Sequence, residues 1–359
     1  MAFDAKWEDF QRLALRFAKS LDDDEPLAAA RSYANFGHRY AQDRDSLPQT
    51  DADRAFHLVA EAAVLIDYQL PFASDEQAES IMSQAHRYLD EALSLDETCY
   101  DALRMKAAAT CPSFQDYLEF LQARRDEVYA SCLDAASRVL AETGGAKDER
   151  SRLAEHLALS PYFRWLAMMA SKALICGRNR EVLYICDDLL DFDPSDTAGA
   201  RLTAALALAK LEDDEGLDEL EDRYEQLEQS YPKNDAWMLL SRLALAHRRR
   251  DLTQARQIVS TIIDLYPQAV VTLARQLELP DGVYSRITVS PFSEDELILA
   301  LSEATVLTQE GRDSFGCGAL GSWLREECLS RATKEDLLEL GNLADRPSKP
   351  GRQPLGGQS

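Results

Sequence analysis

Five histidines, seven cysteines and one glycine-rich string are the parts of this 359-residue chain that could do chemistry, and their spacing argues against it. His38, His57, His86, His156 and His247 lie far apart, with no second ligand at helical metal spacing. HExxH, GxSxG and a GKS-type phosphate loop do not occur. Cys99, Cys111, Cys132, Cys176, Cys186, Cys317 and Cys328 form no CxxC and are odd in number. That usage fits a reducing compartment, with buried thiols acting as small hydrophobes. "GCGALG" at Gly316–Gly321 satisfies GxGxxG, yet the preceding "LILALSEATVLTQEGRDSF" reads as helix. Without a strand there is no βαβ unit to aim a phosphate site, so these glycines are expected to allow tight helix-to-helix packing. The acid runs at 21–25 and 212–216 read as helix caps and solvated loops, and "HRRRD" at 247–251 as a turn. No cofactor, metal or catalytic activity is expected.

What remains is arginine. Arg164, Arg201 and Arg242 are each the single arginine within the apolar body of a helical stretch. A guanidinium binds carboxylate or phosphate through two parallel hydrogen bonds, so such residues can orient an acidic group. The alternative is an internal ion network, with Arg201 pairing to Asp196, Asp235 or another acid.

The elements that must position these arginines are helices. Ala, Leu, Glu, Asp and Arg dominate a chain that is 46% hydrophobic and holds only 15 Gly and 13 Pro. Trp7, Phe10, Ala14 and Phe17 share one helical face. A second helix is expected after "DDDEP", a third over 51–69, and a fourth behind a capping box of Ser74 and Gln77. Ser293 and Glu296 form another box. In "LDFDPSDTAGAR", Pro194 is expected at the first helical position, with Asp193 capping and Asp196 favouring the dipole. Gly199 would then cost about 1 kcal/mol inside a helix, which requires something to approach it closely.

The helices recur in pairs. Ala85, Leu89 and Ala92 are followed by a new helix carrying Leu103 and Ala107. The same spacing returns at Val182, Cys186, Leu189 and Pro194; at Leu220, Tyr224, Leu227 and Pro232; and at Ala255, Val259, Ile262 and Pro267. Successive prolines are 38 and 35 residues apart, near the roughly 34-residue period of tetratricopeptide repeats, which this pattern resembles. Trp237, Leu240, Ser241 and Ala244 match the first-helix pattern of such repeats. The expected fold is all-α, a right-handed superhelix of stacked antiparallel helix pairs. One such pair falls in an N-terminal region over 1–145. Further repeats fill 146–345, with an irregular loop near 278–293, and a disordered tail covers 346–359.

Residues 160–324 resemble, more narrowly, the suppressor-of-tumorigenicity-7 group of these repeat proteins. The resemblance rests on Pro161, Tyr162 and Arg164, on Pro194, Asp196, Gly199 and Arg201, and on Leu279–Pro280, Ser293–Glu296 and Gly318–Leu324. Thr197, Ser290 and Pro291 depart from it. The repeat family's inner-wall positions fall on Arg164, Arg201 and Arg242, which implies an arginine-lined concave face. The resemblance thus implies a noncatalytic scaffold or adaptor for a protein or peptide partner. A ligand-responsive regulator taking a small anionic metabolite or signalling peptide is the alternative. With 63 acidic against 39 basic residues the net charge is −24, which opposes nucleic acid and anionic membrane surfaces at long range. The amphipathic N-terminus is neither a secretory signal nor a span, and a cytoplasmic location is expected.

Overall fold

Helix-forming composition produces helices throughout. The computed structural model describes residues 3–21, 34–142, 148–225, 234–279, 282–311 and 318–344, and among the described residues there is no strand. No helix among them is long and apolar enough to cross a membrane. The start of the second expected helix, Leu227, Pro232, Cys317 and the 346–359 tail lie outside the described residues.

The first of two compact units comprises residues 1–211, 218–231 and 280–288. It contains α1 (Ala5–Lys19), α2 (Phe36–Gln42), α3 (Asp51–Ala63), α4 (Asp75–Leu95), α5 (Tyr100–Thr110), α6 (Phe114–Glu142), α7 (Glu149–Ile175), α8 (Asn179–Phe192) and α9 (Ala200–Leu211). Helix α10 (Asp214–Glu225) enters it from residue 218. Helices α6 and α7, on either side of the 145 boundary, pack extensively against each other within this unit.

Sequential neighbours pair: α3 with α4, α6 with α7, α7 with α8, and α8 with α9. The repeat spacing explains which side chains meet. Ala85, Leu89, Ala92, Val182, Cys186 and Leu189 are all buried. The α7–α8 turn closes with Gly177 at φ +74 and the Arg178 amide on the Ala173 carbonyl at 2.9 Å, satisfying the last carbonyls of α7.

The second unit comprises 212–217, 232–279 and 289–359. It contains α11 (Ala236–Arg248), α12 (Leu252–Leu265), α13 (Ala269–Arg275), α14 (Glu294–Glu303), α15 (Thr305–Thr308), α16 (Ala319–Arg331) and α17 (Lys334–Ala344). Its α11–α12 turn repeats the same device: Arg250 takes φ +60 and the Asp251 amide meets the Ala246 carbonyl at 2.9 Å. Helix α11 also packs against α14, α15 and α16, so most of its surface is buried.

Two local expectations change, at 51–69 and after Pro194, and one proline falls within a helix. The stretch 51–69 is α-helical only to Ala63, then widens to a π-helical turn over Val64–Gln69. Pro161 lies inside α7, which starts twelve residues earlier at Glu149. The helix after Pro194 begins at Ala200: Asp193 caps a turn, accepting from the Thr197 amide at 2.7 Å, and Asp196 accepts from the Ala200 amide at 2.5 Å. Competition from these short-range carboxylate bonds holds the backbone out of helix for a turn and a half.

Candidate functional site

Arg164 sits on α7 and does not face an open wall: its side chain is 1% exposed. It donates to Glu8 of α1 at 2.7 Å and to Asp101 of α5 at 2.6 and 2.8 Å. Arg104, one turn beyond Asp101, donates back to it at 3.1 Å. Burial pushes the Asp101 carboxyl up, but the Arg164 and Arg104 guanidiniums outweigh it and hold it at about 2. The same contest leaves Glu8 below the usual carboxylate range, through Arg164 and Arg12. Arg164 is thus a member of the internal ion network, and its expected role on an accessible wall is corrected. An external acid could reach it only by displacing two buried carboxylates.

This network fastens a segment from far along the chain. Tyr284 is buried, donates its hydroxyl to Glu8 at 2.9 Å, and lies with its ring centroid 4.6 Å from the Arg164 guanidinium. Asp67 accepts the Val283 and Tyr284 amides at 2.7 and 3.1 Å, while Arg104 donates to both of their carbonyls at 2.6 and 2.7 Å. Arg286 continues the strap, donating to the Gly199 carbonyl at 2.7 Å and to Thr203 at 3.0 Å. That answers Gly199: it takes φ +68, and a Cβ there would stand 2.3 Å from Arg286 Nη1. The close approach is made by the chain's own guanidinium.

Arg201, on α9, has a side chain 14% exposed, with Nε 3.6 Å from Asp196 and its guanidinium 5.4 Å from the Tyr224 ring centroid. Asp235 caps α11 through the Met238 amide at 3.0 Å. Arg242 is partly buried on α11 of the second unit.

A cavity of about 440 Å³ opens in the first unit between α1, α3, α6, α7 and the α4–α5 turn. Proline explains its floor. Pro161 lacks the N–H that would bond the Leu157 carbonyl one turn back, and Arg12 of α1 donates Nη2 to that carbonyl at 3.0 Å. Arg12 also donates Nε and Nη2 to Glu8 at 3.0 and 2.7 Å and stacks 4.2 Å over the Phe56 ring. The mouth carries Arg16, Lys19, Arg138 and Arg150. The cavity's acids are engaged: Asp53 with Arg16 at 2.5 Å, Glu142 with Lys19 at 2.6 Å, Asp96 with the Thr98 hydroxyl at 2.7 Å, and Asp101 as above. Sequence reasoning passed over Arg12 and Arg104, though each follows an acid by four or three residues on its own helix, the one local signal of pairing.

Among the described residues no His, Cys, Asp and Glu cluster could hold a metal. His57 Nδ1 lies 3.0 Å from Asp9, and His156 stacks between Phe3 and Phe163 at 6.0 and 5.6 Å. Burial pushes the Cys99 and Cys132 thiols to about 12 and about 11, so they pack as neutral groups. Gly318 and Gly321 admit the Glu310 and Thr308 carbonyls where a Cβ would lie within 2.3 and 2.6 Å, the tight packing expected of that string. Arg248 and Arg249 of "HRRRD" pair with Glu310 and Asp214. No family model matches the chain, and no curated protein and no solved structure matches it.

Proposed function

We propose that this is a noncatalytic helical-repeat protein of the tetratricopeptide kind, a cytoplasmic scaffold or adaptor that takes an acidic group of a protein or peptide partner at the cavity mouth of its first unit. The paired packing of sequential helices and the burial of the repeat-spaced positions support the repeat reading. One observation carries the site: in a chain of net charge −24, Arg16, Lys19, Arg138 and Arg150 gather from three helices around one opening, the first three with Asp53, Glu142 and Asp134 as their own partners. Arginines still orient the acidic group in this reading, but they are different arginines from Arg164, Arg201 and Arg242.

Affinity capture with the full chain tests it. Arg138 and Arg150 are exposed, so R138A/R150A is expected to keep the wild-type Tm while losing captured partners. R201A or R242A is expected to capture as wild type does. Loss of partners in R201A or R242A, with R138A/R150A unaffected, would return the site to the arginines singled out by the sequence. The small volume of the cavity beneath the mouth favours a second reading, in which a small anion occupies the same site and regulates it.

A further inference from the structure

The buried cluster beneath the mouth reaches the cavity at one point. Three guanidiniums, those of Arg12, Arg104 and Arg164, meet the carboxylates of Glu8 and Asp101. Asp67, whose two oxygens accept the Val283 and Tyr284 amides, lies within reach of Arg104's field on the far side. Arg104 and Arg164 are sealed, whereas the Arg12 side chain is 22% exposed and lines the cavity. Its Nε and Nη2 are taken by Glu8 and the Leu157 carbonyl, which leaves Nη1 for a guest.

The walls above Arg12 are apolar: Leu15, Phe56, Val139, Ala154, Leu157 and Pro161. A volume of 440 Å³ falls at the small end of ligand sites, which run from about 300 to 1,000 Å³. A helix about 10–12 Å across does not fit such a space.

We propose that this cavity binds a compact monocarboxylate with an apolar body, its carboxylate against Arg12 and its body between α1, α6 and α7. The proposal rests on the reading of the cavity as the acid-group site and names the ligand class for it. One carboxylate suffices to accept from Arg12 Nη1, whereas a phosphate dianion would bring a second charge against the apolar walls.

Calorimetric titration and thermal shift on the full chain test this, with benzoate, phenylacetate and hexanoate as probes, benzamide as the uncharged analogue, and inorganic phosphate and an acidic peptide as contrasts. At least one carboxylate is expected to bind tenfold or more tightly than benzamide or phosphate, and to raise the Tm. A135W, placed in the partly exposed α6 wall, is expected to block it while the chain stays folded by circular dichroism. R12K is expected to weaken it, because a lysine ammonium cannot hold Glu8 and present a second N–H in one plane. If the peptide binds and the small acids do not, this inference falls and the acid-group reading stands. If neither binds and R138A/R150A still captures partners, both readings of the cavity fall.

Discussion

At the scale of single residues, charge burial is resolved in opposite directions at Asp196 and Asp101. Asp196 is pushed up to about 6, by burial first, with Arg201, the Ala200 amide and Arg286 pulling it down and the Tyr224 and Cys186 side chains also packed near it. Its folded pKa exceeds the ordinary 3.8, so the folded state holds this proton more tightly than the unfolded chain does. Asp196 therefore costs stability above pH 6, and that cost is relieved as the pH falls from about 6 towards 3.8. Asp101, held at about 2, behaves in reverse: its contribution is full above 3.8 and is lost as the pH falls to 2. In D196N the relief disappears, while asparagine still tolerates the φ of +49 at this position. The Tm of wild type minus that of D196N is expected to rise between pH 7 and pH 4.5, by the equivalent of about 3 kcal/mol at most, two units at about 1.4 each. A flat difference would mean that Asp196 titrates normally. Gly199 permits a second measurement. G199A forces a Cβ onto Arg286 and a left-handed conformation worth about 1–2 kcal/mol, so its Tm should drop by several degrees. R286A/G199A should lose less than the sum of the single variants, because the clash is then gone.

At the scale of elements, the strap over 283–286 shows what was legible and what was not. Helix pairs are readable because a 3.6-residue period and a capping box are local; Ser74 and Gln77 form their box as the sequence implies, and Ala255, Val259 and Ile262 are buried as their spacing requires. The bond from Tyr284 to Glu8 spans 276 residues, and nothing near either residue announces the other. The irregular loop near 278–293 is recognisable by its lack of period, but its role is visible only where Asp67 and Arg104 clamp two consecutive peptide units. Arg164 was misplaced for the same reason: repeat register gives the face of a helix, whereas the acids that cover it come from α1 and α5. The clamp makes hydrogen exchange the fitting probe. D67N can accept only one of the two amides and sets an N–H₂ against the other, so exchange at Val283 and Tyr284 should accelerate at least tenfold, while the α8 amides hold their protection. Equal acceleration in α8 would make the strap inseparable from the folding of the whole unit. R164A, by stranding Glu8 and Asp101, should cost about 3–5 kcal/mol and lower the cooperative Tm accordingly.

At the scale of the whole molecule, the 63 acids and 39 bases set a self-repulsion that the buried networks do not relieve, because those networks are almost balanced within themselves. The excess lies on the exterior, where many ion pairs are exposed: Arg138 with Asp134 and Arg223 with Asp187 and Asp191 have side chains 42–77% exposed. Such pairs contribute about 0–1 kcal/mol each and weaken with salt. Repulsion summed over 24 surplus negative charges is also screened by salt, and it acts over longer distances than a contact pair does. Raising NaCl from 0.01 M to 0.1 M shortens the screening length from about 30 to about 10 Å, which removes most distant repulsion yet leaves contacts at 3 Å largely intact. Repulsion should therefore lose more than the pairs do, and the Tm should climb by a few degrees over that range. The same titration on R138A/R150A, which is two charges more acidic, should show a steeper climb. A Tm that falls with salt in both proteins would mean that surface pairing outweighs net charge, and would remove the electrostatic contrast that makes the basic cavity mouth distinctive.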